Sequence, residues 1–173
     1  ISRFPCTSYI MVERKKMKII SIISNIVGTE NIIFTEENDF YSRDWTGQYL
    51  SSPLIVVKPS STLEISKVVE ACYQNKVSVV PISGNTGLSG GTSANNSVVI
   101  SLERLNKIED IKISSRIAIV QAGVILSDLH KTLEDLDLVF PLTFGAKGSA
   151  MIGGCLSTNA GGSNVLKYGN TRT

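Results

Sequence analysis

A single histidine and three cysteines are all that the chain holds of the side chains that most often bind transition metals. Cys6, Cys72 and Cys155 stand far apart, form no CxxC pair and are odd in number. That argues against a zinc site and a disulfide framework, and points to a reducing compartment. Long apolar runs are missing too: the longest patch, near Ile19 to Val27, is broken by Ser21, Ser24 and Asn25, short of the ~20 residues that span a bilayer. An integral membrane protein is not expected. Charge of one sign is scarce as well. A net charge of +2 with dispersed Lys and Arg leaves no electrostatic footprint for nucleic acid.

What is present is a globular composition. With 42% hydrophobic and 18% charged residues over 173 positions, the chain can bury one sizeable core. The basic cluster Arg14, Lys15, Lys16 and Lys18 is open to reading as a signal or transit segment. A surface helix is the simpler reading, because Ile19, Ile22, Ile23, Ile26 and Val27 have helical spacing and Gly28 follows as a stop. The chain begins at Ile1, so Met11 and Met17 are candidate starts. Residues 1–16 are therefore read as an extension outside the fold and residues 17–53 as a helix and lead-in, with 54–173 as the main domain. The expected compartment is the cytoplasm, or the mitochondrion if the basic segment is a transit signal.

From Leu54 the pattern sharpens. LIVV at 54–57 reads as a buried strand, and Ser61 with Glu64 forms a capping box. A helix carrying Leu63, Ile65, Val68, Val69 and Cys72 then leads to the strand VSVV at 77–80, a βαβ-like unit. A glycine-rich loop, Pro81 to Asn96, precedes the strand VVIS at 98–101. KIEDIKI and RIAIVQ alternate with period two around Ser114 and Ser115, as in a hairpin with one buried face. A helix from about Leu126 to Leu136 follows, with Leu126, Leu129, Leu133 and Leu136 as its stripe. The remainder, from Phe140, reads as loop and short turns. Mixed antiparallel and crossover signals make the class α+β.

Ten of the 14 glycines fall into two stretches, Gly84, Gly87, Gly90 and Gly91, then Gly145, Gly148, Gly153, Gly154, Gly161 and Gly162. Glycine lets backbone N–H groups converge into a concave nest for anionic oxygens. PISGNTGLSGG at 81–91 holds no charged residue, so a phosphate there is bound by amide dipoles and by the Thr86 hydroxyl and Asn85 amide, with Pro81 stiffening the exit from the strand. Alone, such a segment is most simply a flexible surface loop. The second stretch alternates small residues with Ile152 and Leu156, the mark of a closely packed segment. Together they suggest opposite walls of an extended diphosphate site. GxxxxGK[ST] is absent, and no GxGxxG lies between a strand and a helix, which disfavours P-loop and Rossmann sites.

GNTGLSGG at 84–91, FPLTFGAKGSAMIGGCLSTNAGG at 140–162 and KYGNTR after it resemble flavoproteins of the vanillyl-alcohol oxidase type, in particular the branch of D-lactate, glycolate and D-2-hydroxyglutarate dehydrogenases. The likeness runs from about Asp44 and Trp45 to the last residue. It implies the FAD-binding domain of p-cresol methylhydroxylase (PCMH) type, two α/β subdomains with the second truncated here. Pro81 would open the cofactor site, and Ser83, Gly84, Asn85, Thr86, Gly87 and Leu88 would wrap the FAD pyrophosphate. Pro141, Gly145, Gly148, Ser149, Gly153 and Gly154 would line the flavin and ribityl side, and Thr158, Asn159, Ala160 and Gly161 would complete the cradle. One departure stands out: the family usually has Gly at the position of Ser83, whose side chain either crowds the loop or adds a hydroxyl donor. Relatives that link FAD covalently through this loop carry His where this chain has Asn85, so attachment is expected to be non-covalent.

The activity implied is oxidation of a D-2-hydroxy acid to the 2-oxo acid by hydride transfer to flavin N5. Family members continue with the rest of the second subdomain and a substrate domain, where most groups for base catalysis and carboxylate binding lie. The chain alone is thus expected to be inactive, and the alternative is a non-catalytic remnant with weak or no FAD binding. His130 flanks an apolar helical stripe and is assigned no chemistry, and Lys147 reads as a solvated loop lysine. Asp44 and Trp45 read as packing and capping residues, and Cys155 as a small buried group. No catalytic or metal-binding residue is assigned.

Overall fold

The computed structural model describes residues 6–34 and 39–172, with side chains from Lys16 onward. The first helix, α1 (Cys6–Val27), turns Ile19, Ile23 and Val27 inward and ends at Gly28, whose φ of 86° suits glycine. The helix takes in residues 6–16, so secondary structure is continuous across Lys16. Of the basic cluster, the side chains of Arg14 and Lys15 lie outside the described residues.

Four short strands form one sheet in the order β1 (Ile32–Ile33), β2 (Ile55–Val57), β4 (Val98–Ser101), β3 (Val79–Ile82). β1 runs antiparallel to β2, while β2 and β3 each run parallel to β4. β2 and β3 are joined through α2 (Thr62–Gln74) but are not neighbours, because β4 lies between them. The expected strand 77–80 is shifted forward and runs through Pro81, which pairs with Ile100. Proline is tolerated there because β3 is an edge strand, whose outward N–H needs no partner.

The α2 cap forms as the sequence indicates on one arm: Glu64 N donates to Ser61 Oγ at 3.2 Å. The returning carboxylate accepts from Ser60 N at 2.7 Å, one residue earlier than a capping box requires. The helix buries Val68, Ala71 and Cys72, whereas Leu63 and Val69 are exposed. At about 100° per residue those two lie off the stripe that Ile65, Val68 and Cys72 share. Together α1, α2 and one face of the sheet enclose a core of Ile19, Ile23, Ile55, Val57, Val68, Cys72, Val98 and Ile100. The other face carries Tyr41, Val56, Ile82, Ala94 and Val99.

A second core gathers Val124, Leu126, Leu129, Leu133, Leu142, Ala150, Ile152 and Cys155. It is built from the hairpin β5 (Ile108–Lys112) and β6 (Ile117–Val120), from α3 (Leu126–Glu134), and from a segment that is less loop-like than its composition suggests. That segment holds a 3-10 turn at Gly145–Gly148 and the short helices α4 (Ile152–Ser157) and α5 (Val165–Tyr168). The hairpin does not bury one face as its alternation suggests: Ile117 and Ile119 are exposed. They border a groove of about 880 Å³ floored by Leu129, Leu133 and Ile152. Leu156 is exposed at the same groove, while Ile152 and Cys155 from its stretch are buried.

Candidate functional site, a cavity between two glycine-rich walls

Leaving β3, the chain passes from the first core towards the second, and the two glycine-rich stretches meet there. A Cβ on Gly84 would collide with the carbonyl oxygen of Ser149, and Ser83 Oγ lies 3.2 Å from where a Cβ of Gly154 would sit. The seam closes this tightly only because residues 84 and 154 lack side chains. Ser83 is accommodated against Gly154, in space that any larger residue at 154 would occupy.

Next to the seam lies a cavity of about 650 Å³, within the usual range for small-molecule sites. The first stretch contributes Pro81, Ser83, Gly84, Asn85, Thr86, Gly87 and Leu88, and the second Gly153, Gly154, Thr158, Ala160 and Gly161. Those are the residues expected from the sequence. Pro141, Gly145, Gly148, Ser149 and Asn159, also expected, are not among its lining residues. Pro141 borders the apolar groove instead, Gly145 and Gly148 bound an exposed turn, and Ser149 touches the site through its carbonyl behind Gly84. Asn159 Oδ1 accepts from Arg172 N at 3.0 Å. Sequence reasoning did not pick out Thr92, Leu102, Ala122, Phe144 and Met151, which lie on the wall as well. Phe144 and Met151 stand within the motif at 140–162 as apolar residues with no phosphate-binding signature, and Thr92, Leu102 and Ala122 lie outside both motifs and are brought there by the fold.

The lining bears hydroxyls on Ser83, Thr86, Ser89, Thr92, Ser157 and Thr158 and no charged side chain. From Gly84 to Thr92, no backbone N–H donates to another described residue. A run of amides on a cavity wall with no partner among the described residues is an anion-binding arrangement, since successive backbone N–H groups form a concavity of positive partial charge. These residues therefore fit a diphosphate held by dipoles and hydroxyls. Cys155 also lines the cavity, but burial pushes its thiol up, so it stays protonated and unreactive. His130 lies on α3 and is not among the cavity's lining residues, its Nε2 buried without a hydrogen-bond partner among the described residues and its ring 6.5 Å from that of Phe140. Lys147 is exposed and off the lining.

A strap formed by residues 39–52 runs along the outer side of the first loop. Ser52 N donates to Ala94 O at 3.0 Å, and Asn96 N donates back to Ser52 O at 3.0 Å. Ala94 N donates to Ser51 Oγ at 3.0 Å, and the ring of Tyr49 lies against Gly90. The strap keeps its shape through buried Asp44, which accepts from Thr46 Oγ1 at 2.7 Å and Tyr49 N at 3.0 Å. Burial pushes the Asp44 carboxyl up, but the Thr46 hydroxyl and the amides of Tyr49, Thr46 and Gln48 outweigh it and hold it below the usual carboxylate range. Asp44 is thus a turn cap, as expected, whereas Trp45 is 74% exposed and packs no core.

The strap is fixed to the sheet by Tyr41, whose hydroxyl donates to Glu103 Oε2 at 3.0 Å and approaches Ser101 Oγ at 3.3 Å. Burial pushes the Tyr41 phenol up to about 12, against the Ser101 bond and helped by the charge of Glu103. Glu103 in turn pairs with Lys58 at 2.6 Å. Burial raises the Glu103 carboxyl, but the bond to Lys58 and those to Tyr41 and Ser101 bring it below the usual range.

Residues 53–173 match the FAD binding domain family. Among curated relatives, the chain is 46% identical over 135 residues to the D-2-hydroxyglutarate dehydrogenase of Xanthomonas citri pv. viticola, covering 78% of this chain and 29% of that protein. It is 36% identical over 154 residues to the mitochondrial D-2-hydroxyglutarate dehydrogenase of Arabidopsis thaliana, covering 88% of this chain and 28% of the relative. The chain thus spans less than a third of the length of these relatives. Among solved structures, alkyldihydroxyacetonephosphate synthase superposes with a TM-score of 0.80 at 18% identity, over 90% of this chain and 34% of its own. p-Cresol methylhydroxylase with substrate bound superposes with a TM-score of 0.68 at 21% identity, over 85% of this chain and 30% of its own. Those likenesses establish the α+β fold of PCMH type. Among the described residues, no helix is long and apolar enough to cross a membrane.

Proposed function

Because the chain belongs to the FAD binding domain family, we propose that it forms the FAD-binding portion of a flavin-dependent dehydrogenase oxidising a D-2-hydroxy acid of the D-2-hydroxyglutarate, D-lactate or glycolate kind. The observation that carries this reading is the run of uncommitted amides from Gly84 to Thr92 on an uncharged, hydroxyl-lined cavity. The names of the relatives support the substrate class.

Bound FAD supplies the two-electron acceptor for turning a 2-hydroxy acid into a 2-oxo acid. This chain's own residues bind and orient. The amides of 84–92 hold the diphosphate, the hydroxyls of Ser83 and Thr86 add neutral donors, and the Gly84–Ser149 seam fixes the distance between the walls. No cavity-lining side chain is a carboxylate, imidazole, amine or phenol, so the proton of the substrate hydroxyl goes to a base outside this lining. The lining of this chain offers no covalent link: Asn85 has no nucleophilic nitrogen and both of its side-chain N–H groups are engaged, while burial pushes the Cys155 thiol up and keeps it protonated.

Acid precipitation and anaerobic mixing test the reading on the intact protein. All flavin should appear in the acid supernatant, and one of D-2-hydroxyglutarate, D-lactate or glycolate should bleach the bound flavin. Flavin retained in the pellet would contradict non-covalent binding, and a flavin bleached by none of the three would contradict the substrate class.

A further inference from the structure

Asn85 sits at the first bend of the loop with a φ of 49°, a left-handed conformation that Asn tolerates better than most residues. It is 8% exposed. Its Nδ2 donates to Phe40 O at 3.0 Å and to Arg43 O at 3.1 Å, and its Oδ1 accepts from Thr92 Oγ1 at 2.7 Å. Both N–H donors and the carbonyl are therefore occupied. One side chain joins the strap, the start of the loop and its end, and has no N–H left for a ligand.

We propose that Asn85 is the positioning residue of the diphosphate-binding loop: it holds the 84–92 amides in their anion-binding arrangement by tying the loop to the 40–43 backbone, without touching the cofactor through its side chain. The proposal rests on the FAD-binding reading above. The loop needs such a tie because, among the described residues, none of its backbone N–H groups has a partner and its carbonyls are engaged only near its end, where Ser93 N donates to Gly90 O at 3.0 Å, so its first half depends on side chains for its shape. Tying it before binding removes the ordering cost from the binding step. The strap, anchored by Tyr41 to Glu103 and Ser101, supplies the fixed end.

The test compares wild type with Asn85→Gly, which keeps the left-handed bend and removes the tie, and with Thr92→Val, which removes only the bond to Oδ1. Two quantities are read in the full-length protein: FAD affinity by titration, and hydrogen exchange of strap amides in the FAD-free state. The strap amides of Ser42, Asp44 and Ser51 are bonded within the strap, so their exchange reports on its anchoring. Asn85→Gly should weaken FAD binding at least tenfold and speed exchange at these amides, with Thr92→Val giving smaller changes in the same direction. Weaker FAD binding with unchanged strap exchange would overturn the proposal in favour of direct contact with the cofactor. Faster exchange with unchanged affinity would overturn it in favour of a purely structural role. If Asn85→Gly does not fold, Thr92→Val decides by the same two readings. Wild type failing to bind FAD would instead overturn the functional reading itself, and this proposal with it.

Discussion

Gly84 and Gly87 stand three residues apart in one loop, yet an added methyl group meets opposite surroundings at each. At 84 it strikes the Ser149 carbonyl, whereas at 87 nothing lies within 4 Å. Gly84→Ala should therefore push the two walls apart, costing about 1–3 kcal/mol of stability as overpacking does and lowering FAD affinity. Gly87→Ala should leave the melting temperature unchanged, because its methyl meets only open space, and weaken FAD binding alone, because Gly87 lines the cavity. Thermal melts beside FAD titrations of both variants check this, and equal loss of stability in the two would contradict the seam. The sequence shows both glycines and does not distinguish them. That distinction depends on which residue the fold places opposite each one. Asn85 is similar: its letter suggests an amide free for phosphate, but its partners are the carbonyls of Phe40 and Arg43, backbone atoms that have no sequence signature.

At the scale of elements, periodicity and capping carried most of the information. The stripe of α1, the ends of α2, the strand 98–101 and Leu126, Leu129 and Leu133 of α3 follow from spacing alone, whereas Leu136 falls past the end of that helix. Ser61→Ala should cost about 1 kcal/mol through loss of the cap, which for a chain of this size lowers the melting temperature by about 2–4 °C. A thermal melt reads this directly, and FAD affinity should not move. Less legible were β3, which continues through Pro81 because it is an edge strand, and the hairpin, whose alternating isoleucines remain exposed. Alternation marks an apolar face, but not whether another element covers it. The short helices after Phe140 were hidden by glycine and serine content, which lowers helix propensity; packing of Ile152 and Cys155 into the second core overrides it.

Over the whole molecule, two cores are joined across a seam of glycines, and the cavity belongs to both. One wall follows the parallel sheet and the other is built from α4 and the turns around it. The sequence indicated the pairing of the walls, because two uncharged glycine-rich stretches in a short chain need a common reason. It could not indicate the strap, whose contacts with the loop are mostly serine and main-chain hydrogen bonds. The central claim is that this seam binds FAD through neutral donors. Isothermal titration of FAD into the protein at low and high salt tests it most directly. The account predicts saturable one-to-one binding whose affinity changes little with salt, as expected where no charged side chain lines the site. A folded protein that takes up no FAD, or one whose affinity collapses as salt is added, would contradict it.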